Sequence, residues 1–292
     1  MEELTIILVR GLGLGGMYAL IAMSMNAIHR ATGIFNFAQG MLFVVAGIFA
    51  ALAMPDVPNP YLWVAVLPVA AIVLAVIMMV QGYLTLLPLK SSVDQHSWLV
   101  STLAVSVVIG AVILLIQGNN QMLTTSQFPS FPVFGTRTPA PYMLTIGAAL
   151  MWYVALRWFH SKTLTGLSIS AIAQDMDAAS AAGLRVRRLQ IMAFGISGLI
   201  IGTAGFISAP IIALANDSGL TYVTNGFVAA VVGGIGNDTG ALLGGALVGV
   251  LSMYTAFVYG GEFQNVVTLG ILVAVLMVRP EGIFGTPAAR KV

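Results

Sequence analysis

The chain has 292 residues, of which 59% are hydrophobic and only 8% are charged, and its mean hydropathy is +0.97. A soluble globular domain carries about 25% charged residues, so this composition excludes a water-soluble fold. The net charge of +2 is too small for the dense basic surface that nucleic-acid binding requires, and the absence of cysteine excludes disulfides and cysteine-ligated metals.

Uncharged stretches that are long enough to cross a bilayer follow one another along the sequence. A helix needs about 20 residues to cross a hydrocarbon core, where backbone groups find no partner outside the helix. When 97–136 is counted as one span and a polar loop, about nine stretches qualify: 11–28, 33–55, 61–89, 97–136, 138–156, 189–216, 218–237, 239–261 and 263–278. We therefore predict an all-α fold, a polytopic transmembrane helix bundle of about 8–9 membrane segments with broken or re-entrant helices, in one domain over residues 1–292.

The segment 33–40, G-I-F-N-F-A-Q-G, places two amide side chains, Asn36 and Gln39, inside an apolar run. Because they are three residues apart, they would face the same side of a helix. Polar groups at membrane depth need partners, and they often mark a pathway or a binding site. Two interpretations stay open: the amides line a route for a solute, or they cap one helix and bond another.

A polar segment at about residues 161–188 separates two of the uncharged stretches. Its alanine-rich centre favours a short helix that ends near Ala182, with Gly183 as its terminator. Asp175 and Asp177 lie near the start of this helix and three arginines follow its end, an arrangement that suits the helix dipole. The segment is either a solvated loop or a small helix on which another protein docks.

A glycine-rich segment interrupts the hydrophobic pattern near the end of the chain. Gly233, Gly234 and Gly236 are followed by Asn237, so a helix should break there. Glycine-interrupted hydrophobic segments in the two halves of a chain point to the substrate region of a transporter, and 33–40 would be the counterpart in the first half. A simple turn between two spans is the competing interpretation.

The distribution of the 12 basic residues predicts the orientation, because Lys and Arg gather in short cytoplasmic loops. If each span crosses once, all of them except Arg10 and Arg137 fall on the cytoplasmic side. The cytoplasmic set is Arg30, Lys90, Arg157, Lys162, Arg185, Arg187, Arg188, Arg279, Arg290 and Lys291. If 218–237 is re-entrant instead, one terminus changes sides.

Four glycine pairs with G-x-x-x-G spacing each put two glycines on one helical face, which lets helix backbones approach closely. The pairs are Gly11 with Gly15, Gly198 with Gly202, Gly240 with Gly244, and Gly245 with Gly249. We expect packing within one bundle rather than contact between subunits.

Several catalytic and coupling motifs are missing from the sequence. None of the three lysines is preceded by G-x-x-x-x-G, so we expect no ATP hydrolysis by this chain. The predicted spans carry no acid near their middle, which disfavours a proton- or sodium-coupled carrier. No catalytic triad, carboxylate pair or metal cluster can be assembled, so we expect the chain not to be an enzyme and to hold no metal.

Three stretches resemble the LivH-type permeases, which serve importers of branched-chain amino acids and related solutes. They are the segments 33–40 and 231–245 and the sequence R-P-E-G-I-F-G at 279–285, and their order and spacing cover nearly the whole chain. Position 39 is often His in that family, so Gln39 is a candidate for a residue that affects selectivity. D-A-A-S-A-A-G at 177–183 is similar to the coupling motif E-A-A-x-x-x-G of importer permeases, with Asp in place of Glu and without the later I-x-L-P part.

The resemblance implies a permease subunit of an ATP-binding-cassette importer in the bacterial inner membrane, for a small polar solute such as a branched-chain or other amino acid. The implied partners are a second, LivM-like permease, two cytoplasmic nucleotide-binding ATPase subunits, a periplasmic solute-binding protein and membrane lipid. No cofactor is expected in this chain, since ATP and Mg would be bound by the ATPases. The alternatives are a passive channel or secondary carrier for a small neutral solute such as urea or an amide, and sugar import by a related permease.

Two groups of site residues follow from these motifs and from the resemblance. The predicted translocation-pathway residues are Asn36, Phe37, Gln39, Asn225, Gly233, Gly234 and Gly236. The predicted ATPase-coupling residues, within a cytoplasmic coupling segment at about 161–188, are Asp175, Asp177, Ala178, Ala179, Gly183, Arg185, Arg187 and Arg188.

Overall fold

The computed structural model describes residues 2–54, 58–86, 97–122, 124–133 and 136–285 of the chain. The helices in these ranges are α1 Glu2–Thr32, α2 Gln39–Ala53, α3 Pro60–Leu86, α4 Ser97–Gln117, α5 Ala140–Lys162, α6 Leu164–Gln174, α7 Met176–Ala181, α8 Val186–Ser208, α9 Ser218–Gly233, α10 Asp238–Val258 and α11 Gln264–Val278. Two short strands, β1 Phe131–Val133 and β2 Thr136–Thr138, pair antiparallel between α4 and α5.

Nine of these helices coincide with the nine uncharged stretches, and α6 and α7 lie in the polar segment between two of them. Within the described part of the chain, seven helices are long and apolar enough to cross a membrane. The other two, α2 with 15 residues and α9 with 16, are about 22 and 24 Å long, which is short of a hydrocarbon core of about 30 Å. The predicted polytopic helix bundle is confirmed.

Helix α1 occupies the centre of the bundle and packs against α5, α8, α9 and α10. In their most hydrophobic stretches, 67% of the residues of α1 and 78% of those of α8 are buried, against 17% for α4 and 6% for α11. The helices with the fewest buried residues therefore lie at the periphery of the bundle.

The glycine pairs bring helices of this one bundle together, as predicted. A Cβ atom added at Gly249 would lie 2.2 Å from the backbone nitrogen of Gly15, and one at Gly245 would lie 2.6 Å from the nitrogen of Ala19. On the other side of the core, Gly198 meets the backbone of Ala75 in the same way. The α1–α10 and α3–α8 contacts are thus backbone against backbone, which only glycine allows at these positions.

The bundle has two ends, which we call the hairpin end and the Arg30 end. The hairpin end carries β1, β2 and the two basic residues predicted to lie outside, with Arg10 Nη2 3.5 Å from the carbonyl oxygen of Arg137. The opposite end carries Arg30, α6 and α7, while Lys90, Arg290 and Lys291 lie outside the described residues.

Helix α9 connects the two ends despite its length. Leu214, in the loop before α9, accepts hydrogen bonds from Met122 N and Gln117 Nε2, both at 3.1 Å, so this loop lies at the hairpin end. Beyond the other end of α9, the carbonyl of Gly236 accepts a hydrogen bond from Arg30. The crossing of α9 agrees with the alternation of sides that the charge pattern predicts.

Candidate functional site

The chain reverses direction after α1 and re-enters the bundle at Asn36. Gly33, with φ of +71°, ends α1, and Asn36 lies in the non-helical stretch before α2 begins at Gln39. The prediction that both amides share one helical face is therefore wrong, because the helix starts only at the second of them. Asn36 Oδ1 instead accepts from Ala38 N at 3.1 Å, which turns the chain into α2.

Asn36 forms a reciprocal amide pair with Gln81 of α3. Asn36 Nδ2 donates to Gln81 Oε1 at 2.7 Å, and Gln81 Nε2 donates to Asn36 Oδ1 at 3.1 Å. The exposed fraction is 0% for Asn36 and 5% for Gln81. The pair joins the start of α2 to α3 through polar groups that lipid could not satisfy.

Gln39 ties α2 to two further helices. Its Nε2 donates to Ser24 Oγ on α1 at 3.0 Å and to Ser197 Oγ on α8 at 2.6 Å, and the two hydroxyls lie 2.6 Å apart. All three side chains are fully buried. Gln39 Oε1 is buried without a hydrogen-bond partner among the described residues, so the site holds a polar acceptor that is free to bind a donor if the surrounding helices move.

Phe37 belongs to an aromatic cluster between the re-entrant stretch and α9. Phe37 and Phe35 both contact Phe227, whose ring centroid lies 5.8 Å from that of Phe37 and 5.2 Å from that of Phe35. Phe35 also stacks on His29 at 4.6 Å and contacts Trp98 of α4 at 6.5 Å. The three phenylalanines are half-buried, so the cluster borders the surface of the bundle.

Asn225 lies in the middle of α9, with only 4% of its surface exposed. Its Nδ2 donates to the hydroxyl of Tyr18 on α1 at 3.2 Å. The residue also borders a cavity of about 220 Å³ that opens between α9 and α11. Its lining is Leu220, Thr221, Thr224, Asn225, Asn265 and Leu269.

The predicted helix break at the glycine segment is confirmed. Helix α9 ends at Gly233, and Gly234 and Gly236 have φ of +100° and +79°, values that favour glycine. Asn237 then caps α10, its Oδ1 accepting from Gly240 N at 3.1 Å. The turn lies at the Arg30 end of the bundle, and Gly233 touches the backbone of Gly240 there.

Arg30 joins this turn to α1 and α5. Its Nε donates to the carbonyl oxygen of Gly236 at 2.8 Å, and Nη1 lies 3.0 Å from Asp238 Oδ2. Nη1 also donates to His160 Nδ1 at 2.7 Å, and Asn26 holds the same turn by accepting from Gly236 N at 3.0 Å. Arg30 lines two cavities, of about 270 and 390 Å³, and both are large enough to hold water molecules beside the network.

The predicted short helix of the polar segment is α7, and its caps account for its length. Asp175 Oδ1 accepts from Asp177 N at 3.0 Å and from Ala178 N at 2.9 Å, which caps the start. At the other end, Gly183 has φ of +87°, and Leu184 N bonds back across the helix to a carbonyl at 3.1 Å. The expected glycine terminator is confirmed.

The coupling residues differ in how accessible they are. Ala178 is exposed, whereas only 6% of the surface of its neighbour Ala179 is accessible. Arg185 and Arg188 are exposed beyond the helix, and the guanidinium of Arg187 lies 5.5 Å from the ring centroid of Tyr83 on α3. Except for Ala179, the predicted coupling residues are therefore exposed, where a partner could touch them.

Two elements of the site were not identified from the sequence. Gln81 is a lone amide in the apolar helix α3, and the same signal that singled out Asn36 could have found it. The sequence position of Arg30 indicates only the orientation of the chain, and nothing in the sequence pairs it with Asp238. Among the residues that the structure describes, no three His, Asp or Glu side chains come together as metal ligands.

Comparison with known proteins gives matches over nearly the whole chain. The family model described as branched-chain amino acid transport system / permease component matches residues 7–276. The high-affinity branched-chain amino acid transport system permease protein LivH of Escherichia coli (strain K12) is 29% identical, with 97% of this chain and 96% of that protein covered. BraD of Pseudomonas aeruginosa, which has the same description, is 28% identical, with 98% and 97% covered. No solved structure matches.

Proposed function

The chain belongs to the family of branched-chain amino acid permease components, and from this membership we propose that it is the permease subunit of an ATP-binding-cassette importer. The observation that carries the proposal is the family match over residues 7–276, which includes the re-entrant stretch, α7 and the glycine turn. The chain would work as a multi-pass protein of the bacterial inner membrane, where lipid hydrocarbon would surround its apolar helices.

The solute that we propose is a branched-chain or another small amino acid. The relatives in Escherichia coli and Pseudomonas aeruginosa are both described as branched-chain amino acid permeases. The polar side chains within the bundle support a solute without net charge, since Asn36, Gln39 and Asn225 are amides. Such groups form hydrogen bonds but offer no counter-ion to a charged solute.

The route itself remains a prediction, and it involves the re-entrant stretch and α9. Asn36, Phe37 and Gln39 would border the solute on one side, and Asn225 on the other. The hydrogen bonds from Asn36 to α3 and from Gln39 to α1 and α8 support this role, since they couple the position of α2 to three other helices. Movement of those helices would then open or close the route.

The partners that we propose are a second, LivM-like permease, two ATPase subunits that bind ATP and Mg, and a periplasmic solute-binding protein. Helix α7 supports the ATPase contact, because it is a capped helix with an exposed face at the end of the bundle that carries Arg30. The charge distribution predicts that this end is cytoplasmic, where ATPase subunits would reach it.

Transport by the assembled complex tests the proposal. The chain is co-expressed with its genomic neighbours, and the assembled complex is reconstituted in lipid vesicles. ATP is placed either inside or outside the vesicles, and a binding protein loaded with labelled leucine is added. We expect uptake only when ATP reaches the ATPase subunits. The control replaces the catalytic glutamate of those subunits, which should abolish uptake without affecting assembly.

The rival functions give different results in the same assay. A passive channel would let leucine or urea equilibrate without ATP, and a secondary carrier would lose uptake when an uncoupler is added while ATP is maintained. Uptake of a labelled sugar in place of leucine would indicate a related permease with another solute. Any of these three outcomes would contradict amino-acid import driven by ATP.

A further inference from the structure

The cavity of about 270 Å³ beside Arg30 lies between the end of α5 and the start of α10. All eight side chains that line it carry polar groups. Among them, the hydroxyl of Tyr153 lies 3.1 Å from Thr239 Oγ1, so a hydrogen bond joins the two helices here. The volume is many times the space that one water molecule needs, so a larger polar group fits between α5 and α10.

One carboxylate oxygen of Asp238, which lines this cavity, is buried without a donor. Oδ2 lies 3.0 Å from Arg30 Nη1, whereas Oδ1 accepts no hydrogen bond from any residue that the structure describes. Only 8% of Asp238 is exposed, so bulk water has little access to this oxygen. A buried carboxylate oxygen without a donor costs free energy, and a donor group held in the cavity would recover the hydrogen bond.

Arg157 brings an unpaired positive charge to the same cavity. Its side chain is exposed, and Nη1 donates to the neutral hydroxyl of Tyr153 at 3.0 Å. Within the described part of the chain, its guanidinium forms no ion pair. Guanidinium groups bind phosphate through parallel hydrogen bonds. The cavity therefore suits a ligand that has a phosphate for Arg157 and a hydrogen-bond donor for Asp238.

Exposed apolar side chains continue from the cavity along both helices. On α5, Val154 precedes Arg157 by three residues and lies on the same face. On α10, the exposed Leu243 and Leu247 follow Thr239 by four and eight residues. Because α5 ends and α10 begins at the Arg30 end, these side chains lie on the membrane side of the cavity, the two leucines about 6 and 12 Å along the axis. Such a surface favours a ligand whose polar head continues into hydrocarbon chains.

We propose that this cavity binds the headgroup of a membrane phospholipid with a primary ammonium group, as in phosphatidylethanolamine. Arg157 donates to the phosphate, the ammonium donates to Asp238 Oδ1, and the acyl chains lie along Val154 and Leu243. The headgroup thus meets one positive and one negative side chain with the opposite charges. A choline headgroup has the same phosphate and net charge, but its nitrogen carries no hydrogen, so it leaves Asp238 Oδ1 without a donor. Binding of the lipid depends on neither the solute nor the partner subunits.

Native mass spectrometry of the full-length chain in detergent tests the site. Phosphatidylethanolamine, phosphatidylcholine and phosphatidylglycerol with identical acyl chains are titrated separately, and so is glycerophosphoethanolamine, which has the headgroup without the chains. We expect Kd for phosphatidylethanolamine to be at least about tenfold lower than for phosphatidylcholine, as one charge-assisted hydrogen bond predicts. The other two compounds should also bind more weakly than phosphatidylethanolamine.

Variants of Arg157 test the phosphate contact. Arg157→Gln should raise Kd for phosphatidylethanolamine about tenfold, whereas Arg157→Lys keeps the charge and should retain most of the affinity. Lys162→Gln is the matched control, because Lys162 is an exposed basic residue in the last turn of α5 that does not line the cavity. Since Tyr153 keeps its hydrogen bond to Thr239, Arg157→Gln should melt at the wild-type temperature.

Several outcomes would overturn the lipid site. Equal binding of the ethanolamine and choline lipids by the wild type, a comparison that needs no variant, would show that Asp238 receives no donor from the headgroup. Equally tight phosphatidylglycerol would exclude the ammonium contact, and equally tight glycerophosphoethanolamine would indicate a soluble phosphate compound in place of a lipid. Unchanged affinity in Arg157→Gln, or an equal loss in Lys162→Gln, would show general charge attraction rather than a site.

Discussion

Substitution of Gly249 by alanine should separate the two central helices. The added Cβ would lie 2.2 Å from Gly15 N, 2.3 Å from Gly15 Cα and 2.5 Å from the carbonyl oxygen of Gly11. All three are backbone atoms, so no side chain can rotate away. Ordinary contact begins at 3.4 Å, and α1 and α10 would have to move apart by more than about 1 Å to reach it.

This displacement affects the whole contact between α1 and α10. Overpacking in a close-packed core costs about 1–3 kcal/mol, and a gap of about 1 Å removes a quarter to a half of the dispersion energy of the neighbouring contacts. We therefore expect Gly249→Ala to lower the free energy of unfolding by about 3 kcal/mol or more. At about 2–4 °C per kcal/mol, the melting temperature in detergent should fall by roughly 6–12 °C.

Gly270→Ala and Gly147→Ala are the matched controls, because no heavy atom lies within 4 Å of a Cβ at either glycine. Both positions are exposed in helices, where alanine is more favourable than glycine by about 1 kcal/mol. Scanning fluorimetry should show an equal or higher melting temperature for the controls. An unchanged melting temperature in Gly249→Ala, with the controls behaving as expected, would refute the backbone contact between α1 and α10.

Three further predictions concern other parts of the structure. Asp238→Asn should cost about 3 kcal/mol, because it leaves a partly buried arginine without its ion pair, and the loss is measured as a lower melting temperature. Gln81→Leu should cost about 1–3 kcal/mol by leaving the amide of Asn36 unpaired, and Asn36→Leu added to it should cost less than the two single changes combined. Ala178→Trp should keep the wild-type melting temperature but weaken copurification of the ATPases, whereas Ala179→Trp should lower the melting temperature; equal effects of the two would contradict the assigned exposure.

The membrane helices could be predicted from the sequence because hydrocarbon imposes a simple rule on the backbone. Hydrocarbon offers no partner to backbone N–H and C=O groups, so an uncharged segment within it has to bond internally, as a helix does. The uncharged stretches of this chain are accordingly helices. The breaks were also visible, since Gly33 and Gly234 adopt conformations that other residues avoid. The capped helix α7 followed from Asp175 and Gly183, whose effects are local.

The partners of the polar groups could not be predicted, because they depend on contacts between distant parts of the chain. Asn36 meets Gln81 across 45 residues, and Arg30 meets the carbonyl of Gly236 across 206. A sequence shows that such a group needs a partner but does not show which helix brings it. The boundary of α2 was missed for a related reason, since Asn36 bonds to Ala38 N and to α3 in place of joining the helix.

The close contact between α1 and α10 also affects how the protein is made. The glycine face of α1 leaves the ribosome early, but Gly249, which packs on Gly15, follows more than two hundred residues later. At a synthesis rate of about 5–20 residues per second, the delay is on the order of tens of seconds. During that time Gly11 and Gly15 lack the helix on which they pack, so insertion of the last helices completes the centre of the molecule rather than its edge.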